Sequence, residues 1–316
     1  MKFSVVIPLY NKAPYVAKAI ESVLSQTFTD FELVIVDDGS KDDSVAIASR
    51  VIHGYDNCCL VQQDNAGVSV ARNNGVALSH GEYLCFLDAD DWWDPTFLEE
   101  MSGLIEEFPD AGIYGTSYRI VDEVKKKTRD AVMGVDMGFE KGYINYFKAY
   151  AKSYYMPLWT GAVCIPRKVF NEVLGFKPAL KMGEDFDLWV RIVLKYKVVL
   201  LNKPLSNYNQ DVNVNTRAIG TLPDPKSQFA FCADCLNADK ARDTELRFVV
   251  EMVQITCLRS YYLSAKYHEK AKKVLESLDL SPHKDKYYAA YLQHPLGWTR
   301  MKDKLACLLN KWRRRK

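Results

Sequence analysis

Tyr83-Leu84-Cys85-Phe86-Leu87-Asp88-Ala89-Asp90-Asp91-Trp92-Trp93 is an apolar run that stops abruptly in three carboxylates. Tyr83 to Leu87 has the length and unbroken apolarity of a central strand in a parallel sheet covered on both faces. Asp88, Asp90 and Asp91 then fall at the strand's carboxyl end, where open α/β sheets form their ligand crevices. An Asp-x-Asp pair there can offer hard oxygens to Mn2+ or Mg2+, and such an ion can bridge the phosphates of a nucleotide diphosphate. Helix capping is the plainer alternative. Asp94 ahead of Pro95 already suits that task, and three more carboxylates against an apolar strand repel one another unless a cation joins them. Asp90, Asp88 and Asp91 are therefore the expected metal ligands.

Upstream, strands and helices alternate. Phe3 to Pro8 reads as a strand, and Asn11-Lys12-Ala13-Pro14 opens a helix with Val16, Ala19, Ile20, Val23 and Leu24 as its apolar stripe. Phe31 to Val36 is a second strand ending in Asp37-Asp38-Gly39-Ser40, and Ser40 with Asp43 resembles a capping box for the next helix. Cys59 to Gln62 is a third strand, followed by Asn65-Ala66-Gly67 and a helix through Ser79. Four such alternations predict a doubly wound, mostly parallel sheet with right-handed crossovers. Asp37 and Asp38 make a second acidic strand end, suited to accepting from a base imide or a ribose hydroxyl. Arg72 reads either as a nucleotide contact or as the cation that holds the acidic loops together.

Four motifs, Ser4-Val5-Val6-Ile7-Pro8-x-Tyr10-Asn11, Val36-Asp37-Asp38-Gly39-Ser40, Asn65-x-Gly67-x-x-x-Ala71-Arg72-Asn73 and Leu87-Asp88-Ala89-Asp90-Asp91, together resemble the family-two glycosyltransferases. They occur in that family's order and cover about the first hundred residues. The resemblance implies the A-type glycosyltransferase fold, Rossmann-like, with a nucleotide-diphosphate sugar as donor, a uridine nucleotide being the commonest, and inversion at the anomeric carbon. It also implies a donor site of Pro8, Tyr10, Asn11, Asp37, Asp38, Arg72, Asp88 and Ala89, with Asp90 on the metal.

Beyond the motifs, Ala111 to Ser117 reads as a strand and Asp122 to Met137 as a hairpin or variable excursion. The aromatic run Tyr143 to Tyr155 suits packing better than a sugar platform. Trp159-Thr160-Gly161, ahead of a strand from Ala162 to Ile165, is expected at the acceptor side. Met182-Gly183-Glu184-Asp185-Phe186-Asp187 opens a helix with Leu188, Trp189, Ile192, Val193 and Tyr196 inward, and acids there complement its dipole. Inverting transfer needs one base for the acceptor hydroxyl. The resemblance implies Asp185 for that base and Glu184 for acceptor binding, while Asp187 is expected to pair with Arg191 at helical spacing. Val198 to Leu201 closes the sheet, and 202–224 reads as a polar loop in which Arg217 is either a diphosphate contact or a surface arginine.

Residues 1–220 are thus expected to form the catalytic domain and 221–316 a helical extension. In the extension Leu246, Val249, Val250, Val253 and Cys257 recur at helical spacing. Its last helix sets Trp298, Met301, Leu305, Leu308, Leu309 and Trp312 against a face of lysines and arginines, which suits an anionic membrane surface or docking on the domain.

The composition, 48% hydrophobic and 26% charged over 316 residues, is that of an ordinary soluble protein, and a net charge of +2 makes no case for nucleic acid. No stretch approaches the roughly 20 apolar residues of a membrane span, so a cytoplasmic protein, peripheral at the inner face of the cell membrane through its last helix, is expected. Eight scattered cysteines with one Cys-x-x-Cys, Cys232 to Cys235, do not make a zinc site. The expected partners are a nucleotide-diphosphate sugar and a glycan or lipid-linked acceptor of bacterial-type surface polysaccharide synthesis. Two alternatives remain: a non-catalytic nucleotide-sugar-binding module on the same fold, and a phosphoryl-transfer enzyme with Asp88 as nucleophile.

Overall fold

The computed structural model describes residues 1–210 and 222–302, and the chain divides into two compact units, Met1–Gly220 and Thr221–Lys316. The first half of the first unit alternates as its periodicity requires. It runs β1 (Phe3–Leu9), α1 (Val16–Leu24), β2 (Phe31–Asp37), α2 (Ser44–Val51), β3 (Cys58–Gln62), α3 (Val68–Leu78) and β4 (Tyr83–Phe86). There follow β5 (Trp92–Trp93), α4 (Phe97–Glu107), β6 (Ala111–Asp122), β7 (Lys127–Asp130), β8 (Lys141–Ile144), α5 (Tyr146–Ser153), β9 (Val163–Pro166), α6 (Arg167–Glu172), α7 (Glu184–Val193) and β10 (Lys197–Asn209).

The strands lie in the order β3-β2-β1-β4-β9-β6-β10-β5, with β7 on β6 and β8 on β10. Strands β3, β2, β1 and β4 are parallel, β9 is antiparallel to both β4 and β6, and β6 and β10 are parallel. The order reverses between β1 and β4, so the loops after these strands bound the crevice where open α/β sheets take ligands. The core under that crevice includes Val5, Ile7, Leu9, Val16, Ile20, Leu33, Ile35, Cys85, Leu87, Phe97 and Met101. Helix α3 approaches β1 closely: a Cβ on Gly75 would lie 2.4 Å from Val6 Cγ1.

Several expectations are corrected here. Helix α2 starts at Ser44, and Ser40 Oγ instead accepts from Asn11 N, 3.0 Å away. Asp94 does not cap α4, whose N-cap is Thr96; its carboxylate binds Arg119 Nη1 at 2.8 Å and Asn207 Nδ2 at 3.0 Å, stronger partners than a helix amide. The largest difference is β10, which continues to Asn209 where polarity suggested a loop from Asn202. Ser206, Asn207 and Asn209 are buried; pairing with β6 takes up their backbone, Asn207 Nδ2 donates to Trp92 O (3.2 Å), and the Ser206 hydroxyl is buried without a hydrogen-bond partner. Tyr146, Phe147 and Tyr150 are buried, as the packing reading of that aromatic run requires.

The second unit contains α8 (Asn237–Lys240), α9 (Thr244–Leu263) and α10 (His268–Glu276), with Leu246, Val249, Val250 and Val253 buried along α9. His283 is fully buried there between Tyr288 Oη (2.6 Å) and Glu251 Oε2 (3.2 Å). Cys235 is exposed. Arg217 and residues 303–316, where the basic end helix is expected, lie outside the described residues. Among the described residues no helix is long and apolar enough to cross a membrane.

Candidate active site

Three loops at the strand ends meet. Asn11, after β1, has φ +50°, and its backbone is fastened to the loop after β2: Asn11 N and Lys12 N donate to Ser40 Oγ and Ser44 Oγ at 3.0 and 2.7 Å. In return Asn11 Oδ1 accepts from Lys41 N at 2.7 Å, so this side chain is spent on loop structure. That clamp sets Lys12 under the loop after β4, where its Nζ lies 2.7 Å from Asp90 Oδ2, both side chains being about 15% exposed. Burial pushes the Asp90 carboxyl up from its ordinary value, Lys12 opposes this and Asp88 adds to it.

Arg72, from α3, is almost wholly buried and forks between two carboxylates: Nη2 to Asp88 Oδ1 at 2.7 Å and Nη1 to Glu184 Oε1 at 3.1 Å. Burial works against its charge, yet Asp88 and Glu184 together hold its pKa above the ordinary value. Its Nε is buried without a hydrogen-bond partner. The helix that carries Arg72 also anchors the approach to α7, through Asn73 to Phe176 N and O (3.1 and 2.8 Å) and Ser69 Oγ to Leu180 O (3.1 Å). Gly183 then turns the chain with φ +76°, a conformation that favours glycine, and α7 begins with Glu184 and Asp185. Burial and the neighbouring Asp185 push the Glu184 carboxyl up to about 7, with Arg72 pulling the other way. Burial also raises Asp185, against the pull of Phe186 N (2.7 Å) and Arg72. Asp187 is spent on Arg191, as its spacing predicts, and on Lys177.

Strand-end carboxylates and helix-end carboxylates are thus one constellation around Arg72. Its two ion pairs join the loop after β4 to the start of α7. Asp37 is buried, both its oxygens within 3.3 Å of Ser40 N; Pro8 is half-buried in β1, and Tyr10 is 44% exposed at its end.

Other expected site residues are turned to structural use. Asp91 is 2% exposed: Oδ1 accepts from Asn209 N (2.9 Å) and Oδ2 from Trp159 Nε1 (3.3 Å), and burial with the charges of Asp90 and Asp88 drives its carboxyl well up. It fastens β10 and Trp159. Asp38 is likewise consumed, accepting from Ala66 N, Gln63 Nε2 and Gly67 N at 2.7–2.8 Å. Ala89 and Thr160 are buried, and the buried Gly161 gives its carbonyl to Trp93 Nε1 at 2.6 Å. Of the acceptor trio only Trp159, partly buried beside Tyr118 and Tyr208, has a side chain with surface to offer.

For a divalent cation the test is the donor set. Among the described residues no group of three His, Cys, Asp or Glu side chains stands at metal-holding distances. Asp88 and Asp90 do retain partial exposure, 30% and 16%, and supply hard oxygens at Asp-x-Asp spacing. They fit an ion whose remaining ligands come from a bound diphosphate and water. Sequence reasoning missed Lys12; its position just past the strand that borders β4 was the available signal.

A crevice at a strand-order reversal, with acidic strand ends and a buried arginine, defines an α/β nucleotide-binding enzyme architecture. Residues 4–171, more than half of the chain, match the model described as Glycosyl transferase family 2, and the chain belongs to that family. It is similar to the glycosyltransferase GlyA of Streptococcus pneumoniae serotype 4, 32% identical over 215 residues (66% of this chain, 30% of that protein). An uncharacterized glycosyltransferase of Rickettsia felis is 30% identical over 232 residues, 67% of this chain and 37% of its own length. The chain spans about a third of the length of these curated relatives. In fold it resembles residues 1–349 of S. aureus TarS in complex with UDP-GlcNAc, with TM-score 0.70 and 18% identity over 96% of this chain and 88% of that one. The fold is the A-type glycosyltransferase fold, followed by C-terminal helices.

Proposed function

We propose that the chain is an inverting glycosyltransferase that moves a sugar from a nucleotide-diphosphate donor, a uridine nucleotide by preference, to a hydroxyl of a glycan or lipid-linked acceptor. One observation carries the reading: Arg72 binds Asp88 and Glu184 at once, so that the donor-side carboxylates and the candidate base Asp185 share one crevice. The family and the likeness in fold to a protein solved with UDP-GlcNAc support the donor class.

In this reading Tyr10, Asp37 and the loop after β1 receive the nucleoside, and Asp88 and Asp90 face the diphosphate. A divalent cation, Mn2+ or Mg2+, held by Asp90 and Asp88, would neutralise charge on the departing nucleotide diphosphate. Asp185 takes the proton of the acceptor hydroxyl as its oxygen bonds to the anomeric carbon; the bond to the diphosphate oxygen breaks and its electron pair leaves with the nucleotide. Glu184, held by Arg72, keeps the amino end of α7 oriented so that Asp185 meets the acceptor. Trp159 offers the acceptor a flat apolar surface.

The test is calorimetric titration with UDP, GDP and dTDP in Mn2+, followed by donor-sugar turnover in wild type and Asp185→Asn. Binding of one nucleotide class, with Asp185→Asn retaining that binding and losing at least about a hundredfold in turnover, is expected. A protein that binds no nucleotide diphosphate is not this enzyme.

A further inference from the structure

The ion pair between Lys12 and Asp90 has no part in the transfer described above. Its position is built. Two backbone bonds to Ser40 and Ser44 and the left-handed Asn11 fix the Lys12 backbone, and the ammonium reaches the loop after β4 at 2.7 Å with little exposure on either partner. Asp88, two residues away, already has its own cation in Arg72, whose guanidinium is locked by a second carboxylate. Of the two partly open carboxylates, Asp90 is therefore the one whose counter-ion is carried on a flexible side chain.

We propose that Lys12 is a resident counter-ion that withholds Asp90 from a divalent cation until a nucleotide diphosphate draws the ammonium away, so that metal and nucleotide bind cooperatively. The inference rests on the donor-site reading above. Metal alone must break the pair, and nucleotide alone must break it too; together they break it once. Their mutual reinforcement contains that shared cost, independently of any direct phosphate–metal bond.

The experiment is titration of the full chain with Mn2+ alone, with UDP alone and with Mn2+ at saturating UDP, in wild type, Lys12→Met and Lys12→Gln. Losing a pair this little exposed should tighten Mn2+ binding in the absence of nucleotide by about tenfold, and reduce the UDP-induced gain in Mn2+ affinity by the same factor. Asp90→Asn in the Lys12→Met background should abolish the tightening. Lys41→Met removes an exposed charge at the residue whose backbone N donates to Asn11 Oδ1, leaves that backbone bond in place and should keep Mn2+ affinity within about twofold. Mn2+ affinity unchanged in both Lys12 variants, with melting temperatures near wild type and UDP still bound, overturns the inference and leaves the donor site standing. The same tightening in Lys41→Met also overturns it, since net charge alone would then be responsible. Failure of the wild type to bind UDP or any other nucleotide diphosphate overturns the donor reading itself.

Discussion

Replacing Glu184 by Gln removes a carboxyl that is pushed up to about 7 by burial and by Asp185, against the pull of Arg72. In the unfolded chain the same group titrates near 4.5. Between those values the unfolded chain has released the proton and the folded one keeps it, so raising the pH favours unfolding across this window. Below about 4.5 the group contributes nothing to the pH dependence, and above about 7 the loss is complete. The interval corresponds to about 3 kcal/mol. Glutamine keeps an oxygen for Arg72 Nη1 and cannot ionise, so the variant escapes this loss. Urea unfolding of both proteins at pH 5, 6, 7 and 8, followed by the fluorescence of tryptophans that include the buried Trp189 of α7, gives the comparison. Glu184→Gln should gain on wild type from pH 5 to about pH 7 and level off by pH 8, a relative gain of about 2–3 kcal/mol over that range. Parallel stability curves for the two proteins would refute the claim that burial and Asp185 outweigh Arg72 at Glu184, and would leave an ionised carboxylate as the second partner of Arg72.

Asp91→Ala strips the acceptor from Asn209 N and Trp159 Nε1, two buried or nearly buried donors, and should cost about 2–4 kcal/mol in urea unfolding. Asp91→Asn, which keeps an acceptor oxygen, should cost less than half of that. In Asp91→Asn, which removes the charge and keeps the link to β10, the Mn2+ affinity measured at saturating UDP should stay within about threefold of wild type, because both carboxylate oxygens are engaged by Asn209 N and Trp159 Nε1; a loss of a hundredfold would restore Asp91 as a ligand. Gly75→Ala brings a methyl to 2.4 Å from Val6 Cγ1 and should destabilise by about 1–3 kcal/mol, read as a lowered urea midpoint with an unchanged slope.

The alternation of strands and helices was legible because each buried strand carries its own apolar run, and the acidic motifs were legible because they interrupt those runs at the strand ends. Polar residues inside a strand were not. Asn207 and Asn209 resemble loop residues locally, and the partners that meet them, Trp92 O and the Asp91 carboxylate, make burial tolerable. Asp94 failed as a cap for the same reason: the guanidinium of Arg119 arrives from another strand.

The site shows the same limit in sharper form, since each acidic motif divides its labour. Asp90 is partly open while Asp91 is fastened into the fold; Asp38 is consumed by the loop that carries Gln63, Ala66 and Gly67; Asp185 stands beside Asp187, which two cations hold. Adjacent aspartates are alike in charge and in local context, so spacing identifies the motif and cannot assign the member. The assignment comes from donors distant in the chain, such as Asn209 N, 118 residues from Asp91. Burying one carboxylate under satisfied hydrogen bonds also makes the other better placed for chemistry: a strand end pinned through Asp91 to β10 has little freedom to move, and Asp88 and Asp90 inherit that rigidity. A structural aspartate within an Asp-x-Asp-Asp stretch is thus a positioning device for the two ahead of it, and its loss should be felt in the geometry of the crevice before it is felt in the charge.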